Sequence, residues 1–362
     1  MGAESSPPVP PRAWVEVDLG AVVRNAEALS RHARAPLIPM VKADAYGLGA
    51  VPVARALERL EPSAFGVSSI AEGEELRAAG IGRPILCFTP VRPDDLPRLR
   101  AAGMTPTLST TETIAAWGRD GGAWHLAIDT GMHRAGANWD QLDALRDALV
   151  AYPPAGAFTH FYSAEADDGS LERQEERFRA ALARLPERPA VVHAENSAAI
   201  VRRGPSAWDV VRPGIFLYGV GSGAGAALQP APVAALHARV LELRDIAPGE
   251  SVSYGATWRA RTPRRIATVA CGYADGLRRA LGNAATALCA GHPVPLVGVV
   301  TMDMAMLDVT DVACALGDPI TFLGRSGDAW RTAEGVAASA GLSPYELLTG
   351  LRLRLPRIYR GG

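Results

Sequence analysis

The sequence predicts an α/β chain with an N-terminal (β/α)8 TIM-like barrel and a mainly β C-terminal domain. Three observations carry this prediction. Short apolar strands alternate with helix-period segments eight times over about 200 residues. Past Pro232 the pattern changes to short strands parted by Pro and Gly. Polar, chemistry-bearing residues recur where the barrel strands end, which is the face where such folds place their chemistry.

In order, residues 1–12 are Ser/Pro-rich without an apolar stretch and read as a disordered arm. Residues 15–17 form a brief strand, and Asp18 caps a helix through Val22, Ala26 and Leu29. The first barrel strand is 37–41, followed by a helix over 51–60. Further strands fall at 64–67, 84–88, 105–108, 124–128, 157–160, 191–193 and 209–211. Helices at 71–79, 94–102, 111–117, 139–152, 171–184 and 197–202 lie between them. The domains are therefore 13–232 for the barrel and 233–362 for the β domain. In the latter, strands are expected at 238–244, 265–270, 287–289, 295–299, 304–309 and 319–323, with a helix over 332–340. Alternation alone also admits a doubly wound sheet.

Composition narrows the function. With 37 basic and 38 acidic side chains the net charge is −1, which gives no footprint for nucleic acid. No apolar run approaches the ~20 residues of a membrane span, so a cytoplasmic protein is expected. The four cysteines, Cys87, Cys271, Cys289 and Cys314, are scattered and read as reduced core thiols, with no metal site.

Lys42 is the only lysine of the chain and stands at the end of the first barrel strand. A lysine facing a pocket there can have a lowered pKa and form a Schiff base, which arginine cannot. Ser197, where a loop enters a helix, and the backbone of Gly214 and Ile215, after a proline, offer anion donors; Tyr46 can add a hydroxyl. A solvated strand-end lysine and a plain N-cap are the bland readings of Lys42 and Ser197 taken singly. Together with two histidines and two arginines at the same rim, the set suggests a phosphate-bearing carbonyl cofactor, pyridoxal 5'-phosphate.

The stretch Val41-Lys42-Ala43-Asp44-Ala45-Tyr46-Gly47 resembles the cofactor-lysine motif of alanine racemases, and the likeness runs almost end to end. It takes in Asp129-Thr130-Gly131-Met132, Thr159-His160-Phe161, Asn196-Ser197, Arg212-Pro213-Gly214-Ile215, Ser253-Tyr254-Gly255, Gly272-Tyr273-Ala274-Asp275 and Met302-Asp303. The resemblance implies a homodimer with active sites at the interface and an amino-acid substrate. It implies Lys42 and Tyr254 as acid/bases on opposite faces of the substrate Cα, Tyr254 coming from the other subunit. His160 would tune Tyr254, Arg212 would donate to the pyridine nitrogen, Arg134 and the Met302 amide would bind the carboxylate, and Tyr273 and Asp303 would line the entrance.

Three positions depart from the family. Ala127 stands where a lysine, often carbamylated, supports the substrate-binding arginine. Leu353 stands where many members have a tyrosine, and Leu48 replaces a common histidine. The expected reaction is interconversion of L- and D-alanine. The alternatives are a racemase for serine or a larger amino acid, admitted by the missing ring at Leu353, or a cofactor-binding member with little activity.

Overall fold

The computed structural model describes residues 11–223 and 225–362. The chain divides into two compact units, one of residues 19–231 and one joining the residues up to 18 with 232–361. Residues 1–10 of the expected arm lie outside the described residues, while the adjoining Arg12 donates to buried Asp275 at 3.1 Å.

In the barrel unit six parallel strands pair in sequence order: Phe65–Val67, Ile85–Cys87, Thr105–Leu108, His125–Asp129, Gly156–Phe158 and Val191–His193. The expected strands at 37–41 and 209–211 are present only as isolated parallel bridges, Met40 to Gly66 and Leu37 to Val211, and a third bridge joins Asn196 to Arg212. Pro36, Pro39 and Pro213 have no N–H, so the ladder is broken there. The amides that remain are paired: Ile38 N–H donates to Val211 O at 2.8 Å and Val41 N–H to Gly66 O at 2.9 Å. The first and last strands thus meet, and the ring closes. Strand order that follows the sequence all the way round rules out the doubly wound alternative, whose order reverses at a switch point.

Helices cover the ring. Leu19–Ala33 buries Leu19, Val22, Val23, Ala26, Leu29 and Ala33, a stripe at helical spacing. Ile70–Ala78 begins with a capping box in which Ser69 and Glu72 each satisfy the other's backbone amide. The expected helix over 139–152 is instead a 3-10 turn, Leu142–Leu145, followed by a short helix, Arg146–Ala151. Buried Asn25 closes the unit: its side-chain amide donates to Leu217 O and Ala231 O, and its carbonyl accepts from Ala231 N at 2.7 Å. One side chain near the start of the barrel therefore holds its last residues.

The other unit is built on the long strand Ala234–Ile246, which pairs antiparallel with Ala13–Asp18, Arg264–Val269 and Pro319–Ser326. Ala13–Asp18 also pairs, in parallel, with Arg357–Arg360. The first strand, expected with the barrel, thus belongs to the sheet, where the Trp14 ring lies 5.2 Å from that of His237. The hairpin Ser251–Val252 with Trp258–Arg259 and the helix Pro344–Thr349 were not expected; the helix Ala333–Ser339 was. Of the strand expected at 295–299, the structure has His292–Pro295 and a bridge at Leu296. Among the described residues no helix is long and apolar enough to cross a membrane, and no group of His, Cys, Asp and Glu is placed to hold a metal ion.

Candidate active site

Lys42 opens a turn, Lys42–Gly47, whose backbone has the wrong hand for L-residues: φ is 53, 54, 50 and 57° at Ala43, Asp44, Ala45 and Tyr46. Each such residue costs roughly 1–2 kcal/mol, and none of the four is glycine. The surroundings hold the turn in place. Asp44 Oδ1 accepts from Ala50 N at 2.7 Å and Glu72 Oε1 from Ala43 N at 2.8 Å. The Glu72 Oε2 atom also accepts from Ser68 N and Ser69 N. The Tyr46 ring stacks on that of Tyr218, with centroids 4.7 Å apart, and the Tyr218 hydroxyl donates to Met40 O. Strain concentrated beside a reactive amine is characteristic of functional sites.

The amine itself is half-buried. Burial pushes its pKa down from 10.5, the Arg134 and Arg212 guanidinium groups push the same way, and Glu72 opposes them. Tyr46 reaches from this turn to the loop after the last barrel strand, where its hydroxyl would lie 2.5 Å from any Cβ placed on Gly214. Glycine is required there because the hydroxyl occupies the space of a side chain. Buried Ser197, at the start of the helix Ser197–Arg203, accepts from Gly214 N at 2.9 Å and from Phe216 N at 3.4 Å in that loop, and Ile215 follows Gly214 directly. Asn196, not Ser197, caps the helix Ser197–Arg203, by accepting from Ala199 N. Ser197 is therefore not a plain cap.

Arg212 is only 3% exposed. Its Nη2 donates to Thr159 O at 2.7 Å and Ala194 O at 3.0 Å, with His160 Nδ1 at 3.3 Å, and its Nη1 donates to His193 Nδ1 at 2.7 Å. Burial pulls the guanidinium down to about 9, which leaves it charged at neutral pH. His160 is pushed to about 3 by burial and then by Arg212, Arg134 and Lys42, so it is neutral. Arg134 is exposed, on a loop shaped by Asp129 Oδ1, which accepts from the Gly131 and His133 amides. Among the described residues no side chain pairs with Arg134; the lysine position, Ala127, is a buried strand alanine.

Tyr254, Tyr273, Met302 and Asp303 belong to the sheet unit, so the two groups of expected site residues lie on different units. Three turns carry them, and hydrogen bonds to backbone carbonyls tie these turns together. Tyr273 N donates to Thr301 O and Ala274 N to Met302 O, both at 3.0 Å, and the Ser253 hydroxyl donates to Val299 O at 2.7 Å. Arg354 bridges Asp303 and buried Asp275. Tyr254 is 75% exposed and Met302 54%. Leu353 is exposed and Leu48 is buried.

Sequence reasoning missed Glu72, although its capping-box spacing with Ser69 is visible, and it missed His125, which carries no motif. All four cysteines are free thiols; Cys87, Cys271 and Cys289 are buried, and burial pushes Cys289 up to about 12.

A closed parallel barrel and a β unit, with one amine among anion donors at the barrel's strand ends, place the chain in the two-unit, barrel-plus-sheet class. The chain belongs to the alanine racemase family. The alanine racemase N-terminal domain family matches residues 17–222 and the C-terminal domain family residues 233–359. The alanine racemase of Sorangium cellulosum is 38% identical over 95% of this chain and 98% of its own length. That of Symbiobacterium thermophilum is 38% identical over 96% and 97%. Solved structures agree. The alanine racemase of Bacillus anthracis with bound L-Ala-P superposes with a TM-score of 0.90 at 31% identity, over 98% of this chain and 97% of that one. The Bartonella henselae enzyme, with covalently bound pyridoxal phosphate, gives 0.89 at 30% identity, over 97% and 100%.

Proposed function

We propose that this chain is an alanine racemase that uses pyridoxal 5'-phosphate and acts as a homodimer in the cytoplasm. The observation that carries the reading is the single lysine, half-buried and lowered in pKa, opening the turn whose Tyr46 hydroxyl packs against Gly214. The residues fit the cofactor. Ser197, whose hydroxyl here accepts from the Gly214 amide, would form an anion cradle with that amide, the Ile215 amide and the Tyr46 hydroxyl once an anion takes the place of their mutual bond, and Lys42 is an amine able to form an imine. When bound, the cofactor spreads the negative charge left at the substrate Cα once its proton has gone.

The remaining chemistry belongs to the side chains. A racemase needs one acid/base group on each face of the Cα, because the proton leaves one side and returns on the other. Lys42 takes and returns a proton on one face; its lowered pKa makes the neutral, basic form accessible. Tyr254 of the partner subunit serves the other face. Tyrosine has an ordinary pKa near ~10 and needs help to act as a base near neutrality; His160, beside Arg212, supplies a hydrogen bond to it. Arg212 would hold the cofactor's ring nitrogen as a donor that keeps its own proton. The substrate carboxylate is held by Arg134 and the Met302 amide, and Tyr273 and Asp303 line the entrance. The exposed Tyr254, Tyr273 and Met302 side chains, on turns tied to one another, support a second subunit covering this face.

The test is to incubate cofactor-loaded protein in D2O with single L- and D-amino acids, following the Cα proton by NMR and chirality by chromatography. Exchange with inversion of alanine is the expected result. Inversion of serine or a larger amino acid in preference to alanine would make Ala127 and Leu353 specificity determinants, and no exchange at all would refute the reading. Full activity of a monomer in sedimentation would remove Tyr254 from the mechanism.

A further inference from the structure

The barrel interior beneath Arg212 holds a polar chain in an aromatic setting. Arg212 Nη1 lies 2.7 Å from His193 Nδ1, and His193 Nε2 lies 2.9 Å from His125 Nδ1. The His193 ring stacks on Phe158, 5.2 Å between centroids at 5°, and Phe88 meets it edge-on. The arginine carbon lies 5.3 Å above the Phe158 ring.

The polarity of this chain is fixed by chemistry. A guanidinium only donates, so His193 Nδ1 must accept. His193 is then neutral and carries its proton on Nε2. That proton points at His125 Nδ1, which must also accept, so His125 carries its own proton on Nε2. Burial and the Arg212 charge hold both rings neutral, His125 down to about 4 and His193 well below 6.5. His125 also has a place made for it. A Cβ on Gly156 would come within 2.5 Å of the ring, so a glycine on the neighbouring strand leaves room. The relay runs from the rim residue Arg212 to the first residue of the strand His125–Asp129.

We propose that His125 is a positioning residue for Arg212, acting through the tautomer and ring orientation of His193. With the acceptor in place, His193 can take a hydrogen bond from Arg212 only through Nδ1, and the guanidinium is held at one angle. Without it the His193 Nε2 proton has no partner in an apolar layer, and the ring turns to find one. The importance of Arg212 for the reaction rests on the function proposed above; the relay itself does not.

The chain has seven histidines, so selective 15N-histidine labelling resolves the tautomers. At pH 7, without and with pyridoxal 5'-phosphate, His193 and His125 should both show a protonated Nε2 and a bare Nδ1. A proton on His193 Nδ1, or a doubly protonated His193, overturns the relay even if the protein racemises alanine. A protein that binds no cofactor but shows these tautomers refutes the functional reading and leaves the relay standing. In the loaded enzyme, His125→Phe keeps the ring and removes the acceptor, whereas His125→Asn keeps an acceptor where Nδ1 was. Expected for His125→Phe is a fall in kcat of about tenfold, the worth of roughly one hydrogen bond, with KM within twofold and a shifted absorbance maximum of the bound cofactor. His125→Asn should restore both. Equal behaviour of the two variants, in rate and spectrum, overturns the proposal. If His125→Phe does not fold, the wild-type tautomers and the His125→Asn spectrum decide it.

Discussion

Gly214→Ala tests the cradle directly. The added methyl would sit 2.5 Å from the Tyr46 hydroxyl and 3.3 Å from its ring carbon. Ordinary contact begins near 3.4 Å, so the oxygen must retreat by about 0.9 Å. Tyr46 has little freedom to do so, because it stacks on Tyr218 and its backbone is already left-handed. Overpacking of this kind costs about 1–3 kcal/mol, which for a unit of this size lowers Tm by roughly 2–12 °C. The double variant with Tyr46→Phe removes the colliding atom. A cycle of urea denaturation over wild type, both single variants and the double variant should give a coupling of about 0.5–3 kcal/mol, the double variant being more stable than the singles predict. Titration of pyridoxal 5'-phosphate on the same four proteins should show weaker binding for each single variant. Additive stabilities, or an unchanged Gly214→Ala protein, would refute the close approach and with it the cradle argued from it.

The histidines make stability pH-dependent. His125 and His160 are lowered to about 4 and about 3, and His193 is also lowered, so the unfolded chain binds protons that the folded barrel refuses. Their contribution is complete above the unfolded value of about 6.5 and is lost as pH falls toward 4–3, at about 1.4 kcal/mol per histidine for the first unit below 6.5. Urea curves that match at pH 7.5 and pH 5 would contradict the burial of these rings. Ala43→Gly should stabilise the left-handed turn by up to about 1 kcal/mol, whereas Ala28→Gly, within the helix Leu19–Ala33, should cost about 0.5–1 kcal/mol. Thermal melts of the two variants shifting in the same direction would argue against the turn's hand. Lys42→Arg keeps the charge and loses the imine-forming amine; reduction with borohydride should leave no cofactor covalently attached, and retention of label would place the attachment elsewhere. Arg212→Glu should raise the ratio of transamination to racemisation, measured as pyridoxamine phosphate formed per alanine inverted; an unchanged ratio would count against Arg212 as the partner of the ring nitrogen.

Much of this was legible in the chain because the signals are local. Short segments of three to five residues, most of them rich in apolar side chains, mark the strands from Phe65 to His193, and the solitary Lys42 marks the rim. The strand at 37–41 was recognisable by composition, but Pro39 reduces it to bridges. The left-handed turn was not legible, since Ala, Asp, Ala and Tyr ordinarily refuse that backbone; tertiary contacts from Glu72 and Tyr218 impose it. Nor could local pattern say that the strand Ala13–Asp18 pairs with residues more than 200 positions away. His125 reads only as a strand residue in the sequence, because its meaning depends on Gly156 and His193, which the parallel pairing of successive strands brings beside it.

The Asn25 clasp bears on how the chain reaches this state. The strand Ala13–Asp18 ends at Asp18 and its antiparallel partner starts only at Ala234, so pairing them in an unfolded chain means closing a loop of some 215 residues. By the logarithmic law such a closure costs about 5 kcal/mol in chain entropy. The barrel between them is contiguous and can form first. Once Asn25 has gripped Leu217 and Ala231, the segments leaving the barrel start side by side, and the long loop has become a short one. The clasp then acts as a folding checkpoint. A variant such as Asn25→Ala should refold its barrel at near-normal speed but delay assembly of the sheet, so that kinetic trapping, rather than any change at the rim, is where the lesion would first be seen.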